Sequence, residues 1–357
     1  MPKKLCIVLG NGFTIDMLKY AKLDQEIDVF NLFRMGDQIP WPNSNSPGFL
    51  SFKHCPNLWN LGVRPNMSAN DAMALLEDII TCVNVYAIKG NQIPVGTQNK
   101  PNDIYIGAYR ELLSYLRNLF TYYNNSISNE VLAPKIDKWP WIDFIKRAVT
   151  SEEYESIGIV TYNYDIWLER ALEINGINFS ISNIETVDQV PKVKIYKPHG
   201  SISFYHRTQS PADYNISHSG DLIPNAAIDN YKLEKTHPLP QSKCIVNSLI
   251  PPAGDSERFR QSWAGQIKTS ADNFVSSLNE NDELMICGIS YWHVDRHEID
   301  SLITKCKPTT NVYMFNPTPN RSLNAVLTSI FSNYVLHSSS AVLKARAGRD
   351  RECFLTM

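Results

Sequence analysis

Ile157-Gly-Ile-Val-Thr-Tyr-Asn-Tyr-Asp165 and, further along, Val193-Lys-Ile-Tyr-Lys-Pro-His-Gly-Ser201 are the stretches whose reading decides the fold. Each is a short β-branched run of the kind that fills a buried parallel strand. Each stops abruptly in hydrogen-bonding side chains, Asn163 and Asp165 in the first and His199 and Ser201 in the second. Open α/β sheets bind ligands outside the carboxyl ends of their strands, so two polar strand ends mark where a site is expected. Taken singly, they also read as structural ends: Asp165 as the cap of a helix starting at Trp167, and Ser201 as a partner for local backbone.

Working outward, Lys4-Leu-Cys-Ile-Val-Leu9 is a buried-strand pattern that runs into Gly10-Asn11-Gly12 and then a helix start at Phe13. Strand, glycine turn and helix start let backbone N–H groups approach a phosphate without an intervening Cβ. Two glycines are short of the full dinucleotide fingerprint. Ile177–Ile184 and Glu283–Cys287 read as further strands, the latter ending in Gly288-Ile-Ser290. Val312–Phe315 reads as the last strand, ending in Asn316-Pro317 and followed by a closing helix over Leu323–Phe331. Strands near positions 5, 158, 194, 285 and 313, alternating with helical patterns, predict an α/β fold, a Rossmann-like doubly wound parallel sheet.

Residues 19–150 are different in character: Pro/Asn-rich segments alternate with helical patterns over Ala69–Tyr86 and Ile104–Tyr123, which predicts a helical insert after the first βα unit of a single domain, 1–357. Residues 206–241, with several prolines, read as a long excursion that covers a site or makes contacts.

Composition narrows the function classes. The 357 residues are 43% hydrophobic and 11% aromatic, enough to bury a sizeable core, and a formal net charge of −2 gives no global reason to expect nucleic acid or an anionic membrane as partner. The seven cysteines are scattered, with no CxxC pair, and read as reduced core residues; with no signal-type h-region, a cytoplasmic protein is expected. His293 and His297, with Asp295 and Glu298 beside them, share a helical spacing that could hold a metal, but no third ligand is identifiable and the metal reading is set aside.

Gly10-Asn-Gly-Phe-Thr14, Thr161-Tyr-Asn-Tyr-Asp165, Lys197-Pro-His-Gly-Ser201 and Gly288-Ile-Ser290 with Asp295, in that order, resemble the elements of the sirtuin-like proteins of bacterial anti-phage defence. Asn316-Pro317 is similar to their ribose-contacting strand end. Protein-deacylating sirtuins hold a structural zinc with two CxxC pairs, which this chain lacks. The resemblance therefore implies the branch that hydrolyses NAD+ to nicotinamide and ADP-ribose and depletes NAD+ during abortive infection.

It implies Asn163 and His199 as the catalytic pair. Asn163 carries both donor and acceptor for a ribose hydroxyl or water, and His199 suits the general base because an imidazole titrates near neutral pH. Gly10, Asn11, Gly12, Phe13, Asp165, Gly288, Ser290, Asp295 and Asn316 are the expected NAD+ contacts, with no metal. Homo-oligomerisation, or a HerA-type ATPase or short Argonaute partner, is expected to control the activity, with the helices between Ala69 and Tyr123 and the 206–241 excursion as contact segments. The alternative is a non-catalytic NAD+ or ADP-ribose sensor, or an assembly subunit.

Overall fold

The computed structural model describes residues 2–42, 44, 46–89, 103–185, 188–208, 214–216, 225–241, 247–251, 262–292 and 296–345. β1 (Lys3–Leu9) runs into α1 (Asn11–Ala21), and α2 (Pro56–Asn60), α3 (Ala69–Lys89), α4 (Asp103–Ser126), α5 (Asn129–Ile136) and α6 (Pro140–Thr150) precede β2 (Tyr154–Thr161). Then come α7 (Trp167–Ile174), β3 (Phe179–Ile181), β4 (Val193–Tyr196), β5 (Phe204–His206) and β6 (Tyr231–Leu233). The chain continues through α8 (Ser262–Ser276), β7 (Glu283–Cys287), α9 (Arg296–Ile303), β8 (Asn311–Phe315), α10 (Arg321–Ile330) and β9 (Asn333–His337).

Seven strands form one sheet in the order β3-β4-β2-β1-β7-β8-β9, and every neighbouring pair is parallel. The chain lays β2, β3 and β4 on one side of β1, then returns to build β7, β8 and β9 on the other. Winding thus reverses at β1, and the crevice at such a switch point is where doubly wound sheets take ligands.

Strand register shows that both faces are covered. Gly158 pairs with Cys6 and Lys194, and Val160 with Val8 and Tyr196; this face meets α8, whose Phe274 ring lies 5.9 Å from that of Tyr196. Leu9, Cys287 and Phe315 line the opposite face, where Phe315 packs at 5.1 Å on Trp141 of α6. A sheet buried on both sides needs strands without polar alternation, and the central ones have that composition: Leu5–Leu9 and Leu284–Cys287 are all buried. No helix among the described residues is long and apolar enough to cross a membrane.

The predicted helices appear with small changes in their ends. α4 is buried without interruption from Gly107 to Phe120. Its Glu111 carboxylate takes the backbone N–H groups of Asn57 (3.1 Å) and Leu58 (2.8 Å) and so caps α2, while Arg117 donates to the Ile202 carbonyl at 3.0 Å. Asn118 donates to the Tyr214 hydroxyl, and Asn125 pairs with both backbone groups of Leu239. The 206–241 excursion, where described, therefore packs on α4.

Two strands differ from expectation. β3 keeps only three residues of the predicted Ile177–Ile184 strand, and β9 is a further parallel strand after the predicted last one. β9 is an edge strand with a half-exposed burial pattern, so its residues carry no buried-run signature. β5 and β6, at and within the excursion, form a small antiparallel pair.

Gly176 and Gly288 share a left-handed φ, +67° and +66°, but differ in surroundings: a Cβ on Gly176 meets nothing within 4 Å, whereas one on Gly288 falls 2.4 Å from the Gly12 Cα. Gly176→Ala is expected to cost about 1 kcal/mol, the conformational penalty alone. Gly288→Ala should cost about 2–4 kcal/mol, because backbone must move as well. Urea unfolding midpoints of the two variants test this, and equal losses would contradict it.

Candidate functional site

The turn after β1 is seated on the end of β7. Gly10 N–H donates to the Cys287 carbonyl at 2.9 Å and Gly12 N–H to the Gly288 carbonyl at 3.1 Å, while Phe13 N–H donates to the Gly10 carbonyl at 3.0 Å. A Cβ on Gly10 would lie 2.6 Å from the Gly288 carbonyl oxygen, and one on Gly12 2.5 Å from the Gly288 Cα. These glycines are therefore required by close contact between backbones, and the amides of Gly10 and Gly12 are engaged within the fold. α1 begins at Asn11 with no side-chain cap and no acidic residue in its first turn, so its dipole favours an anion although the Gly12 and Phe13 N–H groups are already taken by backbone carbonyls. Asn11 reaches away from it to the Val29 carbonyl at 2.9 Å, tying down the following loop. The Phe13 ring is in the core against Trp139 (4.9 Å) and Trp141 (5.7 Å), so it supports the turn from behind.

A directed hydrogen-bond chain links α1 to the end of β2. The amide nitrogen of Asn163 donates to the Gly10 carbonyl and to Thr14 Oγ1, each at 3.1 Å, and Thr14 Oγ1 donates to Asp165 Oδ2 at 2.8 Å. A carbonyl only accepts, so the Gly10 contact fixes which end of the Asn163 amide is the nitrogen and turns its carbonyl oxygen the other way. Asp165 Oδ1 takes the N–H of Trp167 at 3.1 Å, an Asx-type turn leading into α7, whose N-cap position is Ile166 and carries no side-chain cap. Both Asp165 oxygens thus have protein donors. Burial pushes its pKa up to about 6, opposed by the neighbouring Lys197 and by the Thr14 hydrogen bond.

Lys197 is fully buried, donating at 2.6 Å both to the Asp165 carbonyl and to Glu169 Oε1 of α7. This buried ion pair locks the β4 end to α7. Gly200 follows at φ +84°, where a Cβ would come 1.7 Å from the Ser248 carbonyl oxygen. Ser201 is buried and meets Ser203 Oγ at 2.8 Å, a local structural role.

His199, 5% exposed, sits between two elements. Its Nε2 is 2.7 Å from Glu298 Oε2 of α9, and the Tyr162 ring meets it edge-on at 4.9 Å. Glu298 and Tyr162 also line a narrow cleft with Val160, Pro198, Lys268 and Asp272, between β2, β4 and helices α8 and α9. Tyr162 adjoins Asn163, so the β2 end presents one residue to His199 and the next to the Thr14 chain.

Gly288, Ser290 and Asn316 follow the ends of β7 and β8, on the other side of β1. Gly288 carries the seat described above, and Ser290 is exposed, its carbonyl accepting from Asn320 at 3.3 Å. Asn316 is half-buried, with its side-chain oxygen taking the Thr318 N–H at 3.0 Å. Asp295 and His293 lie outside the described residues; His297 is exposed while its neighbour Glu298 is buried. Among the described residues no group of three or more His, Cys, Asp or Glu could hold a metal ion. Sequence reasoning assigned no role to Thr14, Tyr162 or Lys197 and considered Glu298 only as a metal neighbour. The signal it had for Glu298 was a carboxylate in the first turn of an amphipathic helix just past a strand end.

A parallel sheet whose winding reverses at β1, with helices on both faces, is a Rossmann-like α/β fold. The family model described as SIR2-like domain matches residues 157–334, from within β2 into β9. Comparison with curated proteins gives no match. β1 and its glycine turn lie before the matched span, although they occupy the centre of the sheet.

Because the folded state holds its Asp165 proton up to about pH 6, against an ordinary value of 3.8, that proton's stabilising contribution is complete below pH 3.8 and is lost as pH rises through about 6. The melting temperature of the parent minus that of Asp165→Asn is therefore expected to fall between pH 4 and pH 7. A difference that stays flat across this range would refute the assignment.

Proposed function

We propose that this chain hydrolyses NAD+ to ADP-ribose and nicotinamide and acts in abortive-infection-type anti-phage defence by depleting NAD+. What supports the reading is that the Asn163–Thr14–Asp165 chain and the buried His199 follow the ends of two neighbouring parallel strands, β2 and β4, within the span that matches the SIR2-like family model. The residues fit the substrate: the dipole of an α1 N-terminus with no acidic residue in its first turn suits its pyrophosphate, and a half-buried asparagine with a fixed amide suits a ribose hydroxyl or a water.

In this reading the bond between the ribose carbon and the pyridinium nitrogen breaks with its electron pair going to nicotinamide, which relieves the positive charge on the ring. Oxocarbenium character develops at the ribose carbon and a water oxygen bonds there, its proton passing to His199. Asn163 holds the ribose or the water through its carbonyl oxygen; its amide end is already committed to Gly10 and Thr14. Asp165 acts through Thr14, keeping that hydroxyl turned so that it accepts from Asn163. Control through self-assembly, a HerA-type ATPase or a short Argonaute belongs to the same proposal, since an NAD+ hydrolase active at all times would harm its own cell.

The test is NAD+ consumption by the purified chain, alone across a concentration series and with candidate partners, with chelator present. The expected products are ADP-ribose and nicotinamide, with no effect of chelator. His199→Ala and Asn163→Ala should each lower kcat about 10²–10⁴-fold while nucleotide affinity changes little, because these groups act mainly in the transition state. Tight NAD+ binding with no turnover under any condition would favour the sensor reading; deacylation of an acyl-lysine peptide would refute both.

A further inference from the structure

We infer that Glu298 is the positioning residue for His199, setting which imidazole nitrogen works as the base and holding the ring against the β2 end. The inference rests on the hydrolase reading, and it begins from a contact between distant parts of the chain. His199 stands just after β4 and Glu298 in the first turn of α9, both at least nine-tenths buried, with Nε2 and Oε2 2.7 Å apart.

A carboxylate can only accept, so Nε2 carries the proton between them and the lone pair of the neutral ring is on Nδ1. Nδ1 is then the atom that takes the proton from water, while the Glu298 carboxylate balances the positive charge formed on the ring and takes no proton itself. The Tyr162 ring packs edge-on against the imidazole from β2, restricting its rotation about the Glu298 bond.

Charged and titratable groups among the described residues also stand beside this pair. Tyr162 faces it from the β2 end, and Lys268 and Asp272 of α8 line the same cleft as Glu298. Asp272 is itself paired with Lys305 at 3.4 Å, which holds much of its charge locally. Glu298 is within hydrogen-bond range of Nε2, so the imidazole should register its removal.

The experiment uses the full chain with nitrogen-15-labelled histidine, His199 being assigned from its loss in His199→Gln. In the parent, the neutral ring should be the Nε2–H tautomer. In Glu298→Gln that preference should weaken and the titration midpoint of His199 should fall. Its kcat should drop about 100-fold with KM within about 3-fold, the acid limb of the kcat profile moving to lower pH with the midpoint. Glu298→Asp, which keeps the charge on a shorter arm, should be intermediate in both readouts.

An unchanged tautomer and midpoint in Glu298→Gln, or a loss of kcat with an unmoved acid limb, would overturn the inference. If Glu298→Gln does not fold, Glu298→Asp decides alone, and a midpoint and kcat equal to the parent's would overturn it. A midpoint that responds to Glu298 in a chain that consumes no NAD+ would leave the pairing standing and remove the hydrolase reading instead.

Discussion

The contact between Gly12 and Gly288, backbone against backbone, is the constraint on which the site depends. It sets the distance between the β1 turn and the β7 end at a value that admits no Cβ on either residue. It thereby fixes where α1 begins, and Thr14 is in the first turn of that helix. From Thr14 the constraint passes to Asn163 and Asp165 through three hydrogen bonds of defined direction. Glycine rules for nucleotide turns are usually explained by the space a phosphate needs. Here the space is taken by the protein's own backbone, and the glycines serve the ligand only by letting the sheet close so tightly around its centre.

Much of this was legible in the sequence, for a physical reason. Buried parallel strands need continuous apolar runs, and those runs end where side chains meet solvent or ligand, so Leu5–Leu9, Ile157–Val160 and Leu284–Cys287 announce both the strands and the ends. β9 was not legible, because half-exposed Asn333–His337 at the sheet edge has no such run. The partner of His199 was not legible either. Glu298 is about a hundred positions away, and nothing local distinguishes it from its exposed neighbour His297 except which side of α9 faces the sheet. Phe13 and Asp165 also carry contacts that motif position did not announce: the ring packs into the core and each carboxylate oxygen has a protein donor.

Charge in the interior is distributed with similar economy. Lys197 and Glu169 neutralise each other, and Arg170 spends its guanidinium on the carbonyls of Asn124 and Ile127 and on the side chain of Asn129, joining α7 to the α4–α5 connection. Burial pulls the Arg170 pKa down to about 10, still well above neutrality, so the group remains a cation. These contacts make α7 a brace between the strand ends and the helices of the first half of the chain, and a disturbance of either side reaches Asp165 through its N-terminus.

The register of β1 also governs how such a chain comes into being. Leu5 pairs with Ile157 on one side and with Glu283 on the other. During synthesis from the N-terminus, β1 therefore emerges before both of its neighbours, and β7 is made last of the three. Helical segments such as α4 can form early from local contacts, but the central strand must wait, its surface open to wrong partners. A nascent chain of this design has reason to depend on chaperones, and the crevice is assembled only when β7 arrives.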